Sequence, residues 1–340
     1  VDHGLGGFPF LIRVPSSIAD VFTGLVMFEL VRQRRSTREA ALAAILVVLS
    51  PILLIVSGFH GNTDPLFVLF SLLAVYLISV RRWAVPAGAA FALALSVKLV
   101  PIVIAPMLLV LAYRAGWRKV AGFIGGSALV FIPLWLPVLL TRWTEFKRDV
   151  LGYAGVDLRQ WGLIQILKWL GMGPGMESVI AGPGRFVILA ICAGLPTLLV
   201  WRRPQLAGPA VGLALVLFLF LTPAFGMQYL SWAIAGAYLV STTAASVYNF
   251  FGSIFMVVVY DYWNANYPWS WNVAASQPFR MKELILQVPV WVSLGALIVI
   301  GTGLLREGRP RRETLTAPAS PESLRGELMA LHHQGAGASP

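Results

Sequence analysis

The sequence predicts an all-α fold: a polytopic transmembrane bundle of about 10–11 membrane segments. Three observations carry this. Hydrophobic residues make up 58% of the 340 residues, charged residues only 12%, and mean hydropathy is +0.77. A soluble domain carries about 25% charged residues. Apolar runs recur at close to the roughly 20 residues that a crossing helix needs. Basic residues gather in the short connections between those runs, as they do in cytoplasmic loops. The net charge of +11 and pI near 10.2 therefore describe membrane topology, and no nucleic-acid partner is expected. The single cysteine, Cys192, lies in an apolar run, which excludes an intrachain disulfide.

Taken in order, the runs place spans at about 14–31, 40–57, 66–80, 119–140, 184–201, 208–222, 229–243, 245–262 and 283–304. Residues 85–113 are long for one span and are interrupted by Lys98 and Pro101. Proline removes a helix hydrogen bond and breaks or kinks the helix there. The basic clusters at 32–38, 81–82, 114–119, 202–203 and 306–312 can share one side only if 85–113 goes in and comes back. Lys98–Pro101 is then the outer apex of two segments. Val1-Asp2-His3-Gly4 reads as the middle of a loop with no signal-peptide pattern, so the biological chain is expected to start further upstream.

This topology puts residues 60–64, the loop 141–183, residues 222–229 and the loop 261–282 on one extracytoplasmic face. The segment from Trp161 to Leu170 has apolar residues at 163, 166, 167 and 170, one face of a short helix. It is expected to lie flat on the outer membrane surface with its tryptophans, Trp161 and Trp169, at the interface, as an anchor or as a substrate contact. Residues 1–305 form the membrane domain. The polar, Pro/Ala/Ser/Gly-rich segment 306–340 is expected to be a disordered cytoplasmic tail, with His332-His333 solvated in it.

Four polar features interrupt the apolar pattern. Gly58-Phe59-His60-Gly61-Asn62-Thr63-Asp64-Pro65 sets His60, Asn62 and Asp64 between two apolar runs. Ionisable groups at such places are functional candidates, although Gly, Asn, Asp and Pro also form plain turns and Asp64 could cap a helix. Lys98 needs a carboxylate partner, an interface to snorkel to or an anionic ligand, and a compact ammonium suits phosphate. Asp20 lies about 9 Å down its helix from Val14; it reads as half of a structural ion pair, with Lys98 its best partner, while Arg13 above it could reach a lipid phosphate. Thr222-Pro223 through Trp232 breaks two apolar runs and brings Gln228 and Tyr229, which can hydrogen-bond sugar hydroxyls, to the outer face with Trp232 able to stack. Arg280 and Lys282 close the last outer loop and either snorkel or contact phosphate. No Walker-type loop, HExxH helix, paired cysteine motif or nucleophile elbow is present, and neither a metal nor a cofactor is expected.

The ordered set of Arg13-Val14-Pro15-Ser16-Ser17-Ile18-Ala19-Asp20, Ser57 to Pro65, Lys98 to Pro101, Trp161-Gly162, and Thr222-Pro223 with Gln228-Tyr229-Leu230-Ser231-Trp232 resembles the GT-C superfamily of membrane glycosyltransferases. The nearest likeness is to bacterial polyprenyl-phosphate-mannose-dependent mannosyltransferases, over most of residues 10–262. The resemblance implies a GT-C-like fold in a bacterial plasma membrane. It implies transfer of a sugar, mannose first among candidates, from a polyprenyl-phosphate donor to a hydroxyl of a lipid, glycan or protein acceptor, with inversion. An acid of the first outer loop would be the general base; Asp2 is the one acid before the first span, with Asp64 as fallback and His60 beside it. Lys98, Arg13 and Arg280 would hold the donor phosphate, and Asn62, Gln228, Tyr229 and Trp161 the sugars. The other function classes are a transporter or flippase coupling through Asp20 and Lys98, and a non-catalytic membrane scaffold.

Overall fold

The computed structural model describes residues 8–152, 159–264 and 277–306. Every regular element among them is helical. Asp2, residues 153–158 and 265–276, and residues 307–340 with His332-His333 lie outside the described residues.

Local chemistry sets the first helices. Helix α1 (Phe8–Val31) runs into a basic turn, after which Ser36 caps α2 (Thr37–Val48). Ser36 and Glu39 form a capping box, each side chain accepting the other's backbone N–H. Pro51 restarts the helix, and Leu54–His60 then winds as a π-helix that ends at Gly61, whose φ of 72° favours glycine. Helix α3 (Asp64–Ser79) follows, then α4 (Ala84–Val97). Lys98 is extended, Val100–Ile104 is a 3₁₀ turn, and α5 (Ala105–Arg114) completes the segment. The expected break at Lys98–Pro101 is therefore present. Helix α6 (Trp117–Thr141) packs tightly on α4. A Cβ at Gly88 would collide with the Phe123 carbonyl, and one at Gly126 with the Val85 carbonyl, so small residues let these backbones touch.

The second half adds α7 (Gly162–Trp169), α8 (Pro174–Ala181), α9 (Gly184–Arg202), α10 (Ala207–Leu221), α11 (Leu230–Val240), α12 (Thr242–Asn264) and α13 (Met281–Gly303). Helices α10 and α11 are the centre of the bundle, and every residue of α11 is buried. Gly212 and Gly236 bring their backbones into contact. Helix α11 has only 11 residues, shorter than the expected span 229–243, because Met227–Tyr229 forms a 3₁₀ turn before it and Ser241 is extended after it.

Side chains of the basic clusters tie one end of the bundle together. Lys119 Nζ donates to the Arg82 carbonyl at 2.8 Å, so the chain from α4 to α5 goes out and returns. Arg114 donates to the Trp201 carbonyl at 2.8 Å, and Arg203 to the Leu304 carbonyl at 2.8 Å. Arg35 reaches the Tyr238, Leu239 and Val240 carbonyls and Thr242 Oγ1 at 2.8–3.2 Å. Gly208, at the start of α10, packs beside Leu30 and Leu239. The basic turns thus share one end, and the His60, Lys98 and Tyr229 turns occupy the other. Among the described residues, seven helices are long and apolar enough to cross a membrane, and Asp64–Ser79, Ala84–Val97 and Val100–Arg114 are shorter apolar helices. The chain is a multi-pass integral membrane protein.

One expectation fails in detail. The helix after Trp161 exists and Trp169 is 46% exposed, but its buried side is Trp161, Ile164 and Gln165, while Leu170 is 73% exposed. The reason is the Trp161 indole. It is fully buried, stacks on Phe225 at 4.1 Å and donates Nε1–H to the Leu219 carbonyl at 2.8 Å. With its N–H satisfied, the indole is buried without leaving a donor unpaired.

The two-ended arrangement is checked by labelling. In a Cys192→Ser background, Arg118→Cys and Met172→Cys should react with a membrane-impermeant maleimide from opposite sides of a sealed vesicle. Labelling of both from one side would refute the fold.

Candidate functional site

The site grows from the π-helical turn and its neighbours. Helix α1 clamps that turn: Arg13 donates to the Phe59 carbonyl at 2.8 Å and Ser16 Oγ to the Asn62 carbonyl at 2.7 Å. Asn62 Oδ1 accepts the Asp64 N–H at 2.8 Å, a local turn bond of the kind asparagine favours. That bond releases the Asp64 carboxylate from capping. The carboxylate instead receives Lys98 Nζ at 2.8 and 3.0 Å and Trp232 Nε1–H at 2.7 Å. The Asp64 side chain is 4% exposed and that of Lys98 is 24% exposed. Lys98 Nζ also lies 4.4 Å from the Trp232 ring centroid and 4.8 Å from that of Tyr229. The two rings stack at 3.8 Å.

His60 is held from the far side of the sequence. Its Nδ1 is 2.7 Å from the Tyr260 hydroxyl, and its ring meets Tyr260 edge-on. Among the described residues Tyr260 is its one side-chain hydrogen-bond partner, which leaves Nε2 able to take or give a proton.

Beside this cluster lies a mostly apolar cavity of about 460 Å³, with Lys98, Tyr229 and Trp232 in its wall. Val97, Ile188, Leu189 and Phe218 make much of the apolar lining, and Trp135, Arg185 and Asp149 also contribute. Arg185 lies 5.0 Å over the Phe186 ring and has no carboxylate partner among the described residues. Asp149 receives bidentate hydrogen bonds from Arg148 at 2.6 and 2.7 Å, and these hold its carboxyl below the usual carboxylate range. No group of three or more His, Cys, Asp or Glu side chains able to hold a metal occurs among the described residues.

Several residues sit differently from the sequence reading. Asp20 does not pair with Lys98. It receives Ser57 Oγ at 2.5 Å, because the π-helical turn points Ser57 at α1 while Asp64 takes the lysine. Trp232 is 1% exposed and committed to Asp64 and Tyr229, so it offers no free face for stacking on a sugar. Trp161 is likewise core. His60, Asn62, Arg13 and Gln228 are near the turns of this end but outside the cavity lining. Arg280 stacks 3.8 Å over Tyr262, whose hydroxyl donates to Gln277 Oε1 at 3.0 Å. Asp2 lies outside the described residues.

Sequence reasoning missed Tyr260, Trp135 and Arg185, and it singled out Ser57 only as the start of the Ser57 to Pro65 stretch, without its partner Asp20. Tyr260 carries no local signal, since its partner His60 is distant in the chain. Arg185 had one: a lone cation at the head of the apolar run 184–201.

Residues 5–140 match the family model described as dolichyl-phosphate-mannose-protein mannosyltransferase. That stretch runs from α1 through α6 and contains Arg13, Asp20, His60, Asn62, Asp64 and Lys98. Comparison with curated proteins and with solved structures gave no match.

The buried pair makes a stability prediction. Asp64→Ala strands the Lys98 charge and should cost about 3–5 kcal/mol, read as a lowered unfolding midpoint in detergent. Adding Lys98→Met should recover part of that loss. Equal loss in single and double variants would mean that the pair is not coupled.

Proposed function

We propose that the protein is a membrane glycosyltransferase that takes a sugar, mannose first, from a polyprenyl-phosphate donor. The observation that carries this reading is the Lys98–Asp64–Trp232 cluster in the wall of an apolar cavity, at the end of the bundle opposite the basic turns. A lipid-borne phosphosugar requires such a pairing of an apolar sleeve with a fixed cation at the membrane edge. The match of residues 5–140 to a mannosyltransferase family supports the same class. Membrane lipids surround the domain 1–305 in a bacterial plasma membrane, and the site faces outward.

In this reading the prenyl chain enters between α4, α9 and α10, and the phosphate rests on Lys98. Asp64 neutralises much of the lysine charge, so Arg185 in the same wall supplies the second cation; Arg13 and Arg280 stand further off. A hydroxyl of a lipid, glycan or protein acceptor attacks the anomeric carbon in line. The new carbon–oxygen bond forms as the bond to the phosphate oxygen breaks, and the polyprenyl phosphate leaves with the electron pair. The cations stabilise the charge that develops on that oxygen. The acceptor proton passes to a base, and configuration inverts. Asp64, with both oxygens engaged by donors, serves to hold Lys98 in place. His60, oriented by Tyr260, keeps a free ring nitrogen for proton transfer, and Asp2 is the other candidate for that role. Asn62, Gln228 and Tyr229 border the sugar position. Trp161 supports it from behind through Phe225 and Tyr229.

A flippase or transporter would use Asp20 and Lys98 as coupling groups; in this structure the two are engaged separately, Asp20 by Ser57 and Lys98 by Asp64. A non-catalytic scaffold would have no need of the cavity and its cations.

The test is transfer of label from polyprenyl-phosphate [³H]mannose to membrane-extract acceptors by the protein in nanodiscs. Lys98→Met and His60→Ala should each lower transfer by about 10²-fold or more. Arg185→Ala, a change on the cavity wall, should raise the donor KM without loss of fold. Unchanged transfer in Lys98→Met, or label that crosses a vesicle bilayer without being transferred, would overturn the proposal.

A further inference from the structure

A second groove lies at the basic end, between α2 and α12. Its volume is about 480 Å³, and Leu42, Leu46, Val247 and Phe250 line it, with Thr242 and Thr243 at its head. Thr242 Oγ1 accepts Arg35 NH1 at 3.0 Å, which fixes that head among the basic turns. From Thr242 to Phe250 the groove follows α12 for about 12 Å at the helical rise. Leu42, Val247 and Phe250 are 49%, 43% and 62% exposed on this membrane-facing side.

Charge at the head is unbalanced. Arg38 stands one turn before Leu42 on the same face of α2. It is exposed and has no ion-pair partner among the described residues. The nearby carboxylates are engaged: Glu39 accepts from Ser36 N and Oγ at 3.1 Å, and Glu29 accepts from Arg32 at 2.7 and 2.9 Å. The trough therefore has two hydroxyls, those of Thr242 and Thr243, in its own lining, and the exposed Arg38 guanidinium one helical turn beyond Leu42.

We propose that this groove binds one anionic glycerophospholipid from the leaflet at the basic end. Its acyl chain lies along Leu46, Val247 and Phe250, and its phosphate meets Arg38 and the hydroxyls of Thr242 and Thr243. A second transmembrane helix is a poorer occupant, because close helix packing needs small residues and the walls here are bulky. A flexible chain adapts to such walls. Basic residues at a membrane surface favour anionic headgroups by roughly fivefold per residue. The site is separate from the donor cavity and holds a lipid that is not consumed.

Native mass spectrometry of the delipidated full chain with phosphatidylglycerol or phosphatidylcholine tests this. Wild type should retain one phosphatidylglycerol about fivefold more strongly than phosphatidylcholine. Arg38→Ala should remove that preference, and Val247→Trp, which fills the trough, should remove retention of both lipids. Mannosyl transfer by Arg38→Ala should be unchanged in detergent. Equal retention of the two lipids by wild type, an undiminished preference in Arg38→Ala, or a dimer sealed through this face would overturn the proposal.

Discussion

The buried ion pair between Lys98 and Asp64 is the constraint around which the rest of this end is arranged. A lysine in an apolar setting is costly unless it is paired and hydrogen-bonded. Here the carboxylate and two aromatic faces meet that cost, and the Trp232 N–H satisfies the carboxylate in turn. The pair joins the start of α3 to the break between α4 and the 3₁₀ turn, and Trp232 adds the start of α11. Three segments far apart in sequence therefore meet at one charge. The Lys98 break also turns the chain back, which lets Lys119 reach Arg82 at the far end.

The same pair shapes what the cavity can do. Pairing with Asp64 offsets much of the lysine charge, but the geometry keeps the ammonium at the cavity wall and leaves the carboxylate behind it. The fixed dipole this makes points its positive end into the apolar space. Arg185 adds a cation that no carboxylate cancels among the described residues. Preorganised charge of this kind needs no rearrangement as negative charge develops on a leaving oxygen.

Much of this was legible in the sequence. Hydropathy and the distribution of arginine gave the bundle, the return at Lys98 and the end at which polar residues gather, because the bilayer leaves few alternatives for apolar runs of that length. Partner choice was not legible. Asp64 reads as a helix cap until Asn62 is seen to accept its N–H, and only then does it become the partner of Lys98 instead of Asp20. Trp161 reads as an interfacial anchor, since tryptophans in outer loops commonly are, yet Leu219 and Phe225 hold it in the core. Tyr260 meets His60 across 200 residues of sequence. Hydropathy records depth in the membrane; it does not record which buried groups face each other.

The central claim is that the apolar cavity beside Lys98 receives the prenyl chain of a phosphate-bearing lipid. Photocrosslinking with a polyprenyl phosphate carrying a diazirine in its first isoprene unit tests this most directly. The account predicts adducts on Val97, Ile188, Leu189 or Phe218, competed away by unlabelled polyprenyl phosphate. Adducts confined to the outer lipid-facing helices or to the basic end, with none on those four residues, would contradict it.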